Sequence, residues 1–348
     1  MNPTSATPPA PSPEQTIAQM AMGGWISASL SLIARLNIAD ALKSGPKTAA
    51  EVADLRHVDA SALGRVMRAC ASIGLFTESS DGKYGLTPLS QVLTSDSPTN
   101  MKPLVREMGG WWLKSFTALE GGVRTGQNQA RQVCGMDSWW EYLNQNPQDL
   151  EDFGEAMQSN SLNSMRGVLE HCDFSKTKKV VDIGGGFGHL VIALLDKYAH
   201  LRGAVLDLPE VIPVAKRRLP IADPYVAERF EYFGGDMFDS VPPADCYILK
   251  HIIHDWNDAF SAKLLNNCHA SLEEGGRLIC VDSVIPPMGD TSATPAKFLS
   301  ILMQLTIDGK ERTREEWEAL YRAAGFKLEK ITPLQDNFGT SIVEGVKV

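Results

Sequence analysis

The sequence predicts a two-part α/β chain, in which a mostly helical, winged-helix-like N-terminal region precedes a Rossmann-like domain. From about residue 14 to 170 nearly all local signals are helical, whereas from about residue 176 short β-rich runs alternate with helical stretches. The segments we predict are a disordered, proline-rich lead-in over 1–13, a winged-helix-like domain over 14–100, a helical linker over 101–175 and the Rossmann-like domain over 176–348.

Helix caps and a turn signal define the N-terminal region. Thr48 and Glu51 form a capping box at the start of a short helix. Asp59 can cap a second helix that runs to about Ile73, with apolar residues at spacings of three and four on one face. Asp81-Gly82 then predicts a hairpin between two extended runs. Two short helices followed by a hairpin are typical of a winged helix.

The charge of this segment argues against DNA binding. Between positions 47 and 83 there are five Lys/Arg and five Asp/Glu, and the whole chain has a net charge of −9. A protein that enters a DNA groove needs a basic face. We therefore interpret the region as a structural and dimerisation module and expect no nucleic-acid partner. A ligand-sensing DNA-binding regulator remains as the alternative from a different functional class.

The second half predicts a parallel sheet covered by helices on both faces. The strands are predicted over 178–183, 203–206, 230–233, 246–250 and 277–284, with helices over 188–197, 210–218 and 258–273. Thr313 and Glu316 form a second capping box, which opens a helix to about Ala324. Two final extended runs are predicted over 327–332 and 341–346.

Composition narrows the class of protein further. Hydrophobic residues make up 43% and charged residues 22% of the chain, as in ordinary globular proteins. We find no apolar run near the ~18–20 residues that span a bilayer, so we expect no membrane partner. The first residues lack the charge and apolar stretch of a secretory signal. The six cysteines are scattered, without a C-x-x-C pair, so we expect a cytoplasmic protein without disulfides or zinc.

A glycine-rich turn marks the predicted ligand site. Residues 180–190 have the sequence VVDIGGGFGHL, in which a buried strand ends at Asp182 and a loop with Gly184 and Gly186 opens a helix. Glycines let a ligand approach the backbone closely at the carboxyl end of such a strand. His189 stands where a dinucleotide-binding G-x-G-x-x-G motif needs its last glycine. A dinucleotide site is therefore only weakly supported, and a phosphate-binding P-loop does not fit, since no Gly-Lys-Ser/Thr follows.

Acidic residues follow at the ends of the next two strands. Asp207 lies 25 residues after Asp182, where a carboxylate can accept hydrogen bonds from both hydroxyls of a ribose. Asp236 ends the third strand and can accept from an adenine amino group, while Met237 can lie against the ring. This ordered series of strand ends predicts a site for a nucleoside without phosphates.

With these motifs the chain resembles the small-molecule O-methyltransferases of the caffeate and hydroxyindole type, including bacterial natural-product enzymes. The resemblance covers residues 14 to 345, and it rests on the motifs VVDIGGGFG (180–188), VLDLP (205–209), GGDMF (234–238), LKHIIHDW (249–256), GGRLICVD (275–282) and GKERT (309–313). It implies a class I methyltransferase fold, a homodimer, and S-adenosylmethionine as cofactor with S-adenosylhomocysteine as product. The cofactor-binding residues that it implies are Asp182, Gly184, Gly186, Asp207, Leu208, Asp236, Met237, Phe238 and Lys250.

The resemblance also assigns the catalytic residues. His254 matches the general base, and Asp282 and Glu311 match two acidic positions that flank it. Plant members of the family commonly have Glu where this chain has Asp282, so we expect Glu311 to orient the histidine. A phenol has a pKa near 10 and is mostly neutral at pH 7, whereas a histidine with a pKa of ~6.5 can take its proton.

A metal site is the alternative at the same place. His251, His254 and Asp255 could bind a divalent ion if the segment were helical, because residues three apart share a helix face. The segment directly follows a strand, however, and is predicted to be a turn. Spacing supplies no third strong ligand. We therefore expect no metal.

The predicted acceptor pocket is apolar. The family builds its pocket from helices in which this chain carries aromatic and methionine side chains, although the run 300–304 (SILMQ) departs from the family pattern. The candidate substrate residues are Trp111, Phe116, Met157, Met165, His251, Asp255, Phe298 and Met303. Such a pocket favours a small aromatic acceptor.

Together these features predict an S-adenosylmethionine-dependent methyltransferase that acts on a hydroxyl group of a small, phenolic secondary metabolite. The alternative within the family is a member that keeps the cofactor for other chemistry, such as hydroxylation, decarboxylation or a pericyclic step. The presence of His254 and Glu311 speaks against that alternative.

Overall fold

A computed structural model describes residues 11–336 and 338–348, except for the side chains of Asn160 and Asn163. Most of the predicted lead-in over 1–13 lies outside these residues. The chain forms two compact units, one comprising the described residues up to Thr117 together with Leu143–Asn160, the other comprising Ala118–Tyr142 and Ser161–Val348.

The helices and strands are numbered here in chain order. The helices are α1 (Pro13–Ala21), α2 (Gly23–Arg35), α3 (Ile38–Ala41), α4 (Ala49–Arg56), α5 (Ala60–Ser72), α6 (Pro88–Gln91), α7 (Lys102–Glu107), α8 (Leu113–Ser115), α9 (Leu119–Thr125), α10 (Ala130–Cys134), α11 (Trp139–Gln145), α12 (Pro147–His171), α13 (His189–Lys197), α14 (Val211–Arg218), α15 (Pro224–Ala227), α16 (Asp258–Ser271), α17 (Thr294–Ile307) and α18 (Arg314–Ala323). The strands are β1 (Lys47–Thr48), β2 (Phe76–Glu78), β3 (Lys83–Leu86), β4 (Lys179–Ile183), β5 (Arg202–Asp207), β6 (Phe230–Gly234), β7 (Ala244–Lys250), β8 (Leu272–Ile285), β9 (Arg312–Thr313), β10 (Phe326–Pro333) and β11 (Thr340–Lys347).

The first unit contains the capped helices and the hairpin that the sequence predicts. Thr48 and Glu51 form the capping box of α4, and the Asp59 side chain accepts from the Ala62 backbone N–H at the start of α5. Strands β1, β3 and β2 form a small antiparallel sheet in that order. Gly82 has a φ of +76°, which a side chain would disfavour, so the turn depends on this glycine.

Helices α1 and α2 expose much of their apolar surface. Trp25 is 72%, Met20 70% and Ile17 66% exposed. The run Pro13–Arg35 is also long and apolar enough, by length and composition, to cross a membrane. The sequence expectation of no such run was therefore wrong, because it missed that the small residues between the large apolar ones keep the whole run hydrophobic. An apolar face of this size needs a partner surface.

The second unit is built on one large sheet. Its strand order is β10-β11-β8-β7-β4-β5-β6, and β9 pairs separately with β8. The strands from β4 to β8 are parallel, as the sequence predicts. Strands β10 and β11 pair antiparallel to each other, and β11 pairs antiparallel to β8. The sequence predicts these two runs as extended without giving their direction, and they pair antiparallel because no helix separates them to carry the chain back across the sheet.

Apolar side chains cover both faces of this sheet. Val181 points to the face that packs against α16 and α18, while its neighbour Val180 points to the opposite face, which packs against α13. Neighbouring residues of a strand point to opposite sides, so a nearly continuous apolar run such as β4 indicates burial on both faces. The α/β fold class predicted from the sequence is confirmed, and the carboxyl ends of β4, β5, β6 and β7 lie along one edge of the sheet.

Candidate active site

The loop between β4 and α13 is shaped by its glycines. Gly184, Gly186 and Gly188 have φ values of +68°, +57° and +87°, a region that side chains rarely adopt. A Cβ on Gly184 would lie 2.4 Å from the Ile252 side chain, whereas a Cβ on Gly186 would meet no described atom within 4 Å. The loop thus packs tightly on one side and leaves open backbone at Gly186, as a close ligand approach requires.

Asp182 lies one residue before the end of β4 and is a buried carboxylate. Both of its oxygens are buried without a hydrogen-bond partner among the residues that the structure describes. Burial raises the pKa of Asp182 to about 7, and the charge of Asp207 adds to the rise while Lys250 opposes it. A buried carboxylate without a donor is costly, so these oxygens are suited to a donor supplied by a ligand.

Asp207 connects the end of β5 to the glycine loop. Its Oδ2 accepts a hydrogen bond from the Gly186 N–H at 2.8 Å, and its Oδ1 accepts from the Leu208 N–H at 2.8 Å. Burial raises the pKa of Asp207, although these two backbone donors oppose the rise. Each carboxylate oxygen has a second lone pair, so Asp207 can hold the loop and still accept from a ligand. The Leu208 side chain is exposed.

The end of β6 carries the third predicted group. The Asp236 side chain accepts from the Phe238 backbone N–H at 2.8 Å, which fixes the turn. The Phe238 ring packs edge-on against Trp256, with ring centroids 4.7 Å apart. Met237 packs against the core cluster beside this turn. The three residues thus lie where the sequence predicts them, after the third strand of the series.

Lys250 ends β7 as a partly buried lysine. Its Nζ donates a hydrogen bond to Ser161 Oγ at 2.5 Å. Burial lowers the pKa of Lys250, and the carboxylates of Asp182 and Asp282 oppose that change. The sequence analysis did not identify Ser161, because no local pattern on α12 distinguishes it from the other polar residues of that helix.

His254 lies in a short 3₁₀ turn, which we call the His254 turn (Ile253–Asp255). The side chain is buried, and its Nδ1 lies 2.7 Å from Glu311 Oε1. Because an ionised carboxylate only accepts, Nδ1 carries the proton in this pair and Nε2 is the nitrogen that can take another. Asp255 Oδ1 lies 3.4 Å from Nε2.

Three carboxylates surround the imidazole of His254. Burial by itself lowers the pKa of His254, but the charges of Glu311, Asp282 and Asp255 outweigh burial and raise this pKa to about 10. Our sequence analysis assumed an ordinary value of ~6.5. A local sequence pattern does not contain the charges that the fold gathers around the ring, and these favour a higher value.

Asp282 lies between two histidines inside β8. Its Oδ1 is 3.7 Å from His254 Nδ1 and 4.0 Å from His251 Nδ1. Neither oxygen of Asp282 has a hydrogen-bond partner within the described part of the chain. Burial raises the pKa of Asp282 to about 8, against the lowering effect of His254. Glu311 is therefore the closer partner of the histidine, as expected from the shorter side chain at position 282.

His251 follows β7 in an unusual backbone conformation, with a φ of +57°. Its Nε2 lies 3.2 Å from Ser164 Oγ. Burial lowers the pKa of His251 well below the ordinary value, and the charges of Lys250 and His254 act in the same direction. These shifts favour the neutral form of His251 and the protonated form of His254.

The residues that could hold a metal ion include Asp282 in place of Asp255, which the sequence suggested. His251, His254 and Asp282 offer ligand atoms that all lie within 4.8 Å of one another. Asp255, the third ligand that the sequence suggested, is not in this group. The Nδ1 of His254 is already engaged by Glu311 at 2.7 Å, so an ion at that nitrogen would have to displace a charge-assisted hydrogen bond.

The segment that carries Glu311 also contacts the His254 turn through its other residues. A Cβ on Gly309 would lie 2.1 Å from the His254 carbonyl oxygen, so only glycine fits there. The buried guanidinium of Arg312 donates to the carbonyl oxygens of Ile253 at 3.0 Å and Trp256 at 2.9 Å. Sequence analysis missed Arg312, although it directly follows Glu311 in the GKERT motif.

The predicted acceptor residues are distributed over both units. Trp111, Phe116 and Met157 belong to the first unit, whereas Met165, Phe298 and Met303 belong to the second with the His254 turn. Phe298 is 58% exposed on α17, and Met165 packs against the core beside β4. Lys114 Nζ lies 4.1 Å from the centroid of the Trp111 ring.

Family models cover most of the chain. Residues 116–327 match an O-methyltransferase domain, and residues 18–96 match an O-methyltransferase dimerisation domain. A phenazine O-methyltransferase of Lysobacter antibioticus is 35% identical over 94% of this chain and 94% of its own length. A mitomycin biosynthesis 6-O-methyltransferase of Streptomyces lavendulae is 30% identical over 92% of this chain and 91% of its own length.

Solved structures of such enzymes have the same fold. The crystal structure of LaPhzM, 35% identical, matches 96% of this chain and 99% of its own with a TM-score of 0.87. The structure of human N-acetylserotonin methyltransferase in complex with SAM is 26% identical. It matches 98% of this chain and 99% of its own with a TM-score of 0.86. An O-methyltransferase from neocarzinostatin biosynthesis was solved with S-adenosylmethionine and 2-hydroxy-5-methyl naphthoic acid. It is 28% identical and matches 98% of this chain and 100% of its own with a TM-score of 0.82.

Proposed function

Since the chain belongs to the O-methyltransferase family and is an S-adenosylmethionine-dependent O-methyltransferase, we propose that it methylates a phenolic hydroxyl of a small aromatic molecule with His254 as general base. The observation that carries this proposal is the buried pair of His254 and Glu311, which are 2.7 Å apart. The pair leaves Nε2 as the nitrogen that can accept a proton from the acceptor.

The acceptor class is supported by what the relatives act on or bind. Their names refer to a phenazine and to mitomycin, and the neocarzinostatin enzyme was solved with a hydroxylated naphthoic acid. These are small molecules with fused rings. We propose an acceptor of this kind for the present chain, with the hydroxyl on an aromatic ring.

The residues at the edge of the sheet fit S-adenosylmethionine. The two unpartnered oxygens of Asp182 can pair with donors such as the ammonium group of the methionine part, and open backbone at Gly186 admits a ligand. Asp207 has free lone pairs for the ribose hydroxyls. We propose that Asp236, Met237 and Phe238 hold the adenine end, with Lys250 nearby. When bound, the cofactor supplies an electrophilic methyl carbon on a positively charged sulfur.

The chemistry required of the protein is proton removal and alignment. Nε2 of His254 would take the proton of the acceptor hydroxyl, so that the acceptor oxygen could receive the methyl group, with cleavage of the bond between methyl and sulfur and S-adenosylhomocysteine as the second product. Glu311 holds Nδ1–H and stabilises the protonated ring, as the carboxylate does in a serine protease triad. No step needs a metal, because the imidazole carries the proton and Glu311 already occupies Nδ1.

The function is tested with methyl-labelled S-adenosylmethionine and a panel of hydroxylated phenazines, naphthoic acids and simple phenols, in buffer that contains a chelator. We expect mass spectrometry to find one labelled methyl group on the oxygen of at least one acceptor. Conversion of an acceptor without transfer of label would instead indicate a family member with non-methylating chemistry. Activity that needs an added divalent ion would contradict the metal-free mechanism.

The pH dependence of kcat/KM should reflect the raised pKa of His254. The base must be neutral to accept a proton, and its pKa of about 10 leaves only a small neutral fraction at pH 7. We therefore expect kcat/KM to rise about tenfold per pH unit between pH 7 and 9, where an ordinary histidine would already have levelled off.

Two acceptors provide the control for this pH profile. Their hydroxyl pKa values should differ by about two units, within the range of phenols. If His254 titrates, the rise occurs at the same pH with both acceptors. A rise that moves with the pKa of the acceptor would show that the acceptor ionises on its own, and a plateau by pH 7.5 would contradict the raised pKa of the histidine.

We also propose that the protein is a homodimer through the exposed face of α1 and α2. This face lies within or next to the matched dimerisation domain, and Trp25 is 72% exposed on it. Light scattering at micromolar concentration should give twice the chain mass, and Trp25→Glu should shift the protein towards a monomer because a charge at a buried interface is costly. Tyr225→Glu, on an exposed side chain of α15, is the control. A wild-type monomer, or recovery only with membranes, would contradict the proposal.

A further inference from the structure

Arg312 is a buried arginine whose hydrogen bonds converge on the segment that carries the histidine. It is 1% exposed. Its Nη1 donates to the Ile253 carbonyl at 3.0 Å, and its Nη2 donates to the Trp256 carbonyl at 2.9 Å and to Ser261 Oγ at 3.1 Å. The charge of Arg312 is paired with Asp258 Oδ1 at 2.9 Å. The guanidinium therefore holds both ends of the His254 turn.

The His254 turn has few bonds of its own. The Asp255 N–H donates to the Ile252 carbonyl at 3.2 Å and the Trp256 N–H to the Ile253 carbonyl at 3.3 Å, both long for such bonds. A 3₁₀ turn of three residues is weak in isolation. The position of His254 thus depends on contacts from outside the turn.

Those contacts come from neighbouring residues of one segment. Glu311 holds the ring of His254, Arg312 holds the backbone on both sides of it, and Gly309 lies against its carbonyl oxygen. Arg312 also pairs with Val284 in the register of β9 with β8, which ties the segment to the sheet. The ring and the backbone of the base are therefore positioned from the same short segment, residues 309–312, which leads into β9.

We propose that Arg312 is a positioning residue for His254: it fixes the turn so that Nδ1 meets Glu311 and Nε2 faces the acceptor. This inference rests on the proposed function, in which His254 is the base. Lysine cannot replace the planar fork, because an ammonium group donates from a single point and cannot reach the two carbonyls together. A displacement of the base by about 1 Å is enough to lower a rate severely.

The experiment compares Arg312→Met and Arg312→Lys with the same changes at Arg277. Arg277 is a matched control, since it is a partly buried arginine that donates to Glu344 at 2.8 Å and to a backbone carbonyl away from the site. We expect Arg312→Met to lower kcat about tenfold and to shift the pH profile, with cofactor affinity within twofold of wild type. Arg312→Lys should recover part of kcat. The Arg277 variants should lower the melting temperature without changing kcat or the pH profile.

A double variant separates this inference from the assignment of the base. If Arg312 acts through His254, then adding Arg312→Met to His254→Ala should cause no further loss of kcat. An equal loss in both backgrounds would overturn the positioning role while leaving His254 as the base. If His254→Ala alone retains the wild-type rate, the assignment of the base fails instead. Should Arg312→Met not fold, the same comparison is made with Arg312→Lys, and an unchanged pH profile and kcat there would overturn the proposal.

Discussion

His254→Ala should lower kcat for methyl transfer by about 10²–10⁴-fold while leaving the affinity for S-adenosylmethionine nearly unchanged. The variant removes the nitrogen that accepts the proton of the acceptor. The proposed cofactor contacts lie on other residues, at the ends of β4, β5 and β6, so calorimetry should give a dissociation constant within about twofold of wild type. Initial rates at saturating cofactor give kcat.

Replacing a partner of His254 should lower kcat less than replacing His254 itself. Glu311→Gln keeps a hydrogen-bond acceptor for Nδ1–H at 2.7 Å but removes the charge that stabilises the protonated ring, so a smaller loss of kcat is expected. His200→Ala changes an exposed histidine on the same unit and is the control. A His254→Ala variant that methylates its best acceptor at nearly the wild-type rate from pH 6 to 9 would show that the acceptor arrives ionised and that alignment alone carries the reaction.

Asp207→Ala should weaken binding of S-adenosylmethionine by at least about a hundredfold. Two hydrogen bonds from the ribose hydroxyls to a carboxylate contribute about 1.5–3 kcal/mol each, and every 1.4 kcal/mol changes affinity tenfold. The loss is increased because Asp207 Oδ2 also fixes Gly186 at 2.8 Å and so shapes the loop. Calorimetry with S-adenosylhomocysteine gives the dissociation constant.

Two variants make this measurement specific. Asp207→Asn keeps one acceptor oxygen and should lose less affinity than Asp207→Ala. Asp196→Ala removes an exposed carboxylate on α13 and should bind like wild type. Wild-type affinity in Asp207→Ala, with an unchanged melting temperature in all three variants, would remove Asp207 from the cofactor site.

The positions of the strands could be predicted from the sequence because apolar runs end at glycines and acidic residues. Strand β5 was expected over 203–206 and spans Arg202–Asp207, and β7 was expected over 246–250 and spans Ala244–Lys250. Strand β8 is longer than the predicted 277–284 and begins at Leu272, because pairing with β7 extends it through a register shift. The direction of β10 and β11 could not be predicted, since these strands carry no local signal for parallel or antiparallel pairing.

The residues of the candidate site also differ in whether the sequence can identify them. Asp182, Asp207 and His254 lie in local motifs, so sequence could identify them. Arg312 could not be identified, because its role depends on carbonyl groups 56 and 59 residues away in the chain. The pKa of His254 was equally hidden, since the three carboxylates that raise it reach the ring only through tertiary structure.

The joint role of Gly309, Glu311 and Arg312 constrains how this segment can evolve. Gly309, Glu311 and Arg312 each contact a different part of the His254 turn, so an insertion or deletion of one residue between Gly309 and Arg312 would move at least one of them away from its partner. The length of the segment is therefore fixed more strictly than its composition. Lys310, which pairs with the exposed Asp258 and Glu316, is free to vary in type, while we expect the gain or loss of one residue at this place to abolish the joint contacts.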